Sequence, residues 1–136
     1  MLTVVAALIE SRGKLLACRR RRGDKFELKW EFPGGKLQAG ETPQRALERE
    51  LAEELGVASR IGVEVHRTIH QYPEMNQPLE LIFFAARLES LELRNLAFEE
   101  IRWCEPASLP ALDFLPADRE LVERLATGSL RLPPVE

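Results

Sequence analysis

The segment Gly35-Lys36-Leu37-Gln38-Ala39-Gly40-Glu41-Thr42-Pro43-Gln44-Arg45-Ala46-Leu47-Glu48-Arg49-Glu50-Leu51-Ala52-Glu53-Glu54-Leu55-Gly56-Val57 carries more information than any other in this chain. Thr42 is suited to cap a helix, Pro43 to its first position, good helix formers fill Gln44 to Leu55, and Gly56 is placed to terminate it. At about 100° per residue, Leu47, Leu51 and Leu55 fall within roughly 80° and make one apolar stripe. Glu50, Glu53 and Glu54 share an arc of about 100° beside that stripe, where part of their hydration is lost. Like charges three or four residues apart cost about 0.2–0.5 kcal/mol per pair, and adjacent packing raises the cost. Something positive belongs there. Arg49 lies away from this arc and can neutralise one carboxylate, not all three. A divalent cation can serve all three, and carboxylates with no histidine or thiolate nearby select a hard ion, Mg²⁺ with Mn²⁺ as a substitute.

A solvated glutamate-rich face is the commoner meaning of such a helix taken alone. The residues in front of it point elsewhere. Gly34-Gly35 allows a close backbone approach, and a carbonyl turned inward there would complete an oxygen shell. The charge pattern agrees. Arg19 to Lys36 holds seven basic residues against three acidic ones, whereas Glu41 to Glu54 holds five glutamates against Arg45 and Arg49. A cationic stretch beside an anionic one suits a polyanion held together with a metal cation.

Outward from this segment, Leu2 to Glu10 is almost continuously apolar, Ser11-Arg12-Gly13 is a turn, and Lys14 to Cys18 is a second short strand, so the chain opens on a hairpin. Arg19 to Trp30 is polar and irregular. After the helix, Val57 to Tyr72 reads as largely strand, Pro73 to Pro78 as a turn, Leu79 to Leu88 and Ile101 to Cys104 as strands, and Pro116 to Ala126 as a second amphipathic helix with Leu121, Val122 and Leu125 inward. Leu130 to Glu136, with Pro133-Pro134, reads as a fraying end. The order predicts an α/β fold, a mixed β-sheet flanked by two helices, in one domain spanning 1–136.

The 136 residues are 45% hydrophobic and 30% charged with a net charge of −3, which argues against disorder, collagen and coiled coil. No apolar run is long enough to cross a bilayer, and residues 1–12 lack the shape of a signal peptide; the expectation is a soluble cytoplasmic protein without a membrane partner. Cys18 and Cys104 lack metal-ligand or CxxC spacing and read as buried free thiols.

At every defined position, Gly35, Glu41, Arg49-Glu50, Leu51, Glu53-Glu54, Gly56 and Val57 resemble the Nudix box, here residues 35–57. The resemblance implies a Nudix-type α/β/α sandwich and hydrolysis of a nucleoside diphosphate linked to another group, with divalent metal and water. Trp30-Glu31-Phe32-Pro33-Gly34-Gly35-Lys36, the chain length and the surroundings of Trp103 and Pro116 are similar to the MutT group. That implies conversion of nucleoside triphosphates to monophosphate and pyrophosphate by attack of water on the β phosphorus, with 8-oxo-dGTP and cytidine triphosphates both open as substrates. The alternatives are a Nudix hydrolase of another diphosphate (a dinucleotide, an ADP-sugar or an RNA 5′ end) and a non-catalytic nucleotide sensor.

Carried over by position, Glu50, Glu53 and Glu54 with the Gly34 carbonyl would hold Mg²⁺, and Glu50 or Glu53 would also act as base. Arg49 would hold a box carboxylate in place and Glu41 would support the loop or an outer metal. The bound metal would neutralise phosphate charge and activate and align the water. Where the group often has a further metal-linked glutamate, this chain has Ala97, and Glu99 or Glu100 would substitute. The substrate would be met by Arg20, Lys25, Glu31, Phe32, Pro33, Gly34, Tyr72 and Asp118, with Arg19 as a further phosphate partner and Phe83 or Phe84 lining the base pocket. Asp118 stands where MutT has a base-reading asparagine; an ionised aspartate there would favour base edges that present donors, and a protonated one would widen the choice again. No stable nucleic-acid complex is expected, and the chain would act as a monomer or homodimer.

Overall fold

The computed structural model describes residues 1–136. It contains strands β1 (Leu2–Ser11), β2 (Lys14–Arg19), β3 (Trp30–Glu31), β4 (Gly34–Lys36), β5 (Ser59–His70), β6 (Leu79–Leu88) and β7 (Glu100–Cys104). The helices are α1 (Pro43–Leu55) and α2 (Arg119–Thr127). The sheet is mixed. β1 runs parallel to β6 from Leu2↔Leu79 to Ile9↔Ala86, β4 pairs antiparallel with β1, and β5 closes the far edge against β6. β2 pairs antiparallel with β3 and β7.

The lack of polar alternation in β1 has a direct cause: both faces of this strand are covered. Ala6 and Leu8 pack with Phe32, Phe83, Phe114 and Leu121 on the α2 side. Val5, Ala7 and Ile9 pack with Leu47, Leu51, Leu55 and Phe84 on the α1 side. The result is the expected three-layer sandwich. Cys18 and Cys104 are buried free thiols.

Helix α1 ends where the sequence places its ends. Thr42 accepts a bond from the Arg45 N–H at 3.2 Å, and Gly56 takes the left-handed conformation that closes the C-terminus. Leu47, Leu51 and Leu55 are fully buried together with Ala46. The returning chain satisfies the last carbonyls, Arg94 N–H donating to Leu55 and Leu96 N–H to Glu54.

Two expectations are corrected, and two further elements appear. Gly34-Gly35 forms β4 with Lys36 against Val4, Val5 and Ala6 of β1. The second helix begins at Arg119, three residues after Pro116, because Pro116–Asp118 forms a separate 3-10 turn. A further 3-10 segment, Pro106–Ala111, carries no helix-length apolar period and was not anticipated. The C-terminal segment does not fray: Leu130 and Leu132 pack on the α2-side core. Val135 lies where a Cβ on Gly62 would come within 3.0 Å of it, so that glycine makes room for the tail.

His66 on β5 supplies a test of packing on the α2 side. Its Nδ1 lies 3.2 Å from Arg124, which can only donate, so Nε2 carries the proton and finds no partner. Burial first, then the Arg124 charge, push the His66 pKa down, with Glu120 opposing. A depressed histidine pKa means that the unfolded chain binds the proton more readily, so this contribution is lost as pH falls below about 6.5. Relative to His66→Leu, the wild-type Tm is expected to drop between pH 7 and pH 5.5. A pH-independent difference would contradict the assignment.

Candidate active site

β1 and β2 meet only beside their turn, at Glu10↔Leu15 and Ser11↔Lys14. Farther from that turn a cleft of about 400 Å³ opens, lined by Leu2, Val4, Val5 and Ala6 of β1 and by Arg20, Glu31 and Phe32 on the opposite side. One part of its wall is polar, with Gly34, Gly35, Lys36 and Glu54; other parts carry Phe26, Tyr72, Met75 and Asp118.

The two box-proximal glycines answer to two different crowding problems. A Cβ on Gly34 would overlap the Val5 carbonyl oxygen and lie 2.7 Å from Ala6 Cα. A Cβ on Gly35 would fall within the Glu50 carboxyl group, 2.6 Å from Oε2. β4 therefore lies tight against β1 on one side and leaves room for a carboxylate on the other.

Arg49 organises the acidic cluster. Its guanidinium donates to both oxygens of Glu41 at 2.7 and 2.9 Å, to Glu50 at 3.0 Å, to Glu53 at 3.4 Å and to the Lys36 carbonyl at 3.2 Å. It reaches more carboxylates than its position on the helix suggested, because a long side chain can fold back along its own turn. The Glu41 bond pulls the Glu41 pKa down. Arg49→Lys loses the planar fork and its simultaneous contacts. The expected loss is about 1 kcal/mol, a few degrees in Tm by thermal melting, together with reduced turnover. An unchanged Tm would contradict this bracing role.

Glu54 is outside Arg49's reach. It accepts the Gly34 N–H at 3.0 Å and lies in the cleft wall. Burial, followed by the charges of Glu50 and Glu31, pushes its pKa up to about 9. Glu50 is likewise pushed up by burial, against the lowering effect of Arg49. Glu53 is the exposed member, its side chain 58% accessible. No three of these acids are drawn around a single point. The donor set nevertheless fits a hard dication: burial and neighbouring acids hold two carboxylates back from ionising, a penalty that a dication would relieve, and the nearby Cys18 thiol is held protonated by burial and by Glu31 and Glu54.

At the other end, Asp118 is 2% exposed, makes no helix-capping bond and leaves Oδ1 without a partner. Burial, reinforced by Glu31, raises its pKa well above the usual carboxylate range. That direction favours the neutral acid, which offers a donor as well as an acceptor and widens the choice of base edge. Tyr72 OH accepts the Ala117 N–H at 3.0 Å, and burial holds its pKa at about 12.

Several expected site residues fall elsewhere. Glu99 does not join the carboxylates: it is exposed and accepts the Arg22 N–H at 3.2 Å, while Glu100 pairs with Arg102 at 2.7 Å. The replacement for the glutamate missing at Ala97 therefore does not form. Pro33 is not in the cleft wall, its carbonyl accepting the Ala7 N–H within the sheet. Phe84 faces the α1-side core, whereas Phe83 borders the cleft from within the other core. Phe32 borders it too but is mainly core, packed on Phe83 and Phe114. Arg19 is turned away, donating to the Leu28 carbonyl at 3.0 Å. Lys25 lines the cleft as expected. Arg20 does too, with its Nε on the Lys25 carbonyl at 2.7 Å and its NH1 on Glu31 at 3.1 Å. Sequence reasoning missed Phe26 and Met75, which sit in irregular segments where no periodicity marks an inward side chain.

The NUDIX domain family matches residues 1–125. The chain belongs to the Nudix family. Among similar proteins, the 8-oxo-dGTP diphosphatase of Haemophilus influenzae is 33% identical over 126 residues, covering 92% of this chain and 91% of that one. The CTP pyrophosphohydrolase of Escherichia coli is 36% identical over 124 residues, covering 90% of each. A crystal structure of a MutT protein from Methanosarcina mazei superposes with a TM-score of 0.82 at 21% identity over 96% of each chain, a likeness of fold. The Nudix box of this chain therefore lies on a Nudix fold, with α1 as its helix. No helix is long and apolar enough to cross a membrane.

Proposed function

We propose that this Nudix protein is a metal-dependent nucleoside triphosphate pyrophosphohydrolase of the MutT type, converting 8-oxo-dGTP or a cytidine triphosphate to the monophosphate and pyrophosphate. The observation that carries the reading is the placing of Glu54 and Gly34 in the wall of the same cleft that holds Tyr72 and Asp118. A nucleotide spans such a cleft with its base toward Asp118 and its phosphates toward the carboxylates. The Haemophilus influenzae and Escherichia coli relatives, similar over nine-tenths of their length, support the reaction class.

Glu50, Glu53, Glu54 and the Gly34 backbone would hold Mg²⁺ or Mn²⁺, which when bound neutralises phosphate charge and makes water a nucleophile near neutral pH. The protein's own groups supply the rest. Arg49 restrains Glu50 and Glu53 so that their carboxylates are already oriented, and Glu41 in turn fixes Arg49. Glu50 or Glu53 takes the proton of the attacking water; Glu53 is the better exposed to receive it. Lys25 and Lys36 meet the phosphate oxygens from the rim, and Asp118 hydrogen-bonds the base edge. Excluding water from the apolar end favours the base and orients the phosphates for in-line attack.

Incubation with Mg²⁺ and a panel of nucleoside triphosphates, with pyrophosphate and orthophosphate quantified separately, tests the proposal. Pyrophosphate release from a triphosphate, abolished in Glu53→Gln, is expected. Turnover confined to dinucleotides, ADP-sugars or RNA 5′ ends would move the substrate class, and binding without turnover would make the chain a sensor.

A further inference from the structure

Phe26 belongs to a loop that spends conformational energy to aim it. Phe26 and Leu28 have φ of 58° and 62°, the left-handed region that bulky side chains avoid. The loop between β2 and β3 is closed on itself by Arg20 N–H to the Lys29 carbonyl at 2.9 Å and Leu28 N–H to the Arg20 carbonyl at 3.1 Å. The Arg20 side chain closes it again through Nε on the Lys25 carbonyl at 2.7 Å, the residue just before Phe26. These bonds over-determine the backbone, the condition under which such conformations persist and the reason they gather at ligand clamps.

The conformation places the Phe26 ring over the cleft. Its centroid lies 4.8 Å from that of Tyr72, with the planes at 46°. Tyr72 is in turn fixed by its bond from Ala117 N–H, one residue from the unpartnered Asp118. The ring is only half-buried in spite of its contact with Tyr72, so apolar surface remains facing the cleft. A flat, polarisable ligand with a hydrogen-bonding edge fits between such an aromatic wall and a buried polar acid.

Resting on the nucleotide reading above, we infer that Phe26 is a base-binding residue, the aromatic wall on which the substrate's nucleobase packs, and that Arg20 acts through the Lys25 carbonyl to position it. Arg20 is then a positioning residue engaged with Glu31 and the loop, not a free phosphate ligand. The apolar wall is indifferent to base identity, so it sets affinity for a base while Asp118 sets the edge that is read.

The backbone conformation offers a clean test, because glycine removes the ring and relieves the left-handed strain together. Calorimetric titration of CMP and 8-oxo-dGMP, without turnover, into wild type, Phe26→Gly, Phe26→Trp and Leu28→Gly measures base binding. Tripolyphosphate serves as the probe without a base. Phe26→Gly is expected to weaken both monophosphates by about tenfold, leave tripolyphosphate unchanged and not lower Tm. Phe26→Trp should stay near wild type, and Leu28→Gly, which removes the same strain without touching the cleft, should bind as wild type. Monophosphate binding undiminished in folded Phe26→Gly, or an equal loss for tripolyphosphate, would overturn the assignment, as would wild-type protein that binds neither monophosphate. Pyrophosphate release from triphosphates decides the reaction class separately.

Discussion

Glu54→Gln is expected to raise the stability of the metal-free protein while reducing turnover by at least about a thousandfold. The two effects share one cause. Burial beside Glu50 and Glu31 lifts the Glu54 pKa to about 9, so the metal-free fold retains a proton that the unfolded chain releases above its ordinary 4.5. The stability associated with this group is therefore fully present below pH 4.5 and is lost as pH rises toward 9. Glutamine removes the cost and keeps an acceptor for the Gly34 N–H. At pH 7 the gain is on the order of 2 kcal/mol, growing toward pH 9 and vanishing near pH 4.5. Thermal melts of both proteins in chelator across this range measure it. Saturating Mg²⁺ should reverse the order, stabilising the wild type and leaving the variant little changed. A variant less stable than wild type at pH 8 in chelator would contradict the electrostatic account of α1.

The second large effect separates two adjacent glycines. Gly34→Ala sets a Cβ against the Val5 carbonyl and Ala6 Cα, which are backbone atoms in a sheet and cannot yield. β4 must leave β1, and the loss is expected to exceed about 3 kcal/mol, seen as a fall of ten degrees or more in Tm or as failure to accumulate folded protein. Gly35→Ala sets its Cβ against the end of the Glu50 side chain, which can rotate away. That variant should remain folded, with Tm within a few degrees of wild type, yet lose activity because Glu50 leaves its place beside Arg49. Equal Tm losses in the two variants would show that β4 is not held as described.

Helix α1 was legible in the sequence because every local signal agreed: a capping threonine, a proline at the first position, an apolar stripe and a terminal glycine. Strands β1 and β6 were legible from their largely apolar runs. What periodicity could not supply was the origin of those runs, burial of β1 on both faces, or the parallel register of β1 with β6, which depends on contacts between residues far apart in the chain. The acidic cluster was visible as a charge problem, but its solution was read only in part. Helix geometry placed Arg49 away from Glu50, and it took side-chain length to bring Arg49 to Glu41, Glu50 and Glu53 at once. Glu99 shows the reverse: a carboxylate near the right position in sequence accepts the Arg22 backbone N–H and does not join the others. Phe26 was invisible because its orientation comes from left-handed backbone conformations that leave no compositional trace in a phenylalanine.

The most direct measurement is a Mn²⁺ titration, followed by water-proton relaxation in the presence of a nonhydrolysable nucleoside triphosphate, of wild type and Glu54→Gln. The carboxylates of α1 are predicted to give the wild-type complex saturable Mn²⁺ binding beyond that of the nucleotide alone, weakened at least about tenfold in the variant. Coincident titration curves for the two proteins would mean that the acids crowded on this helix do not hold the cation, and the account would fail.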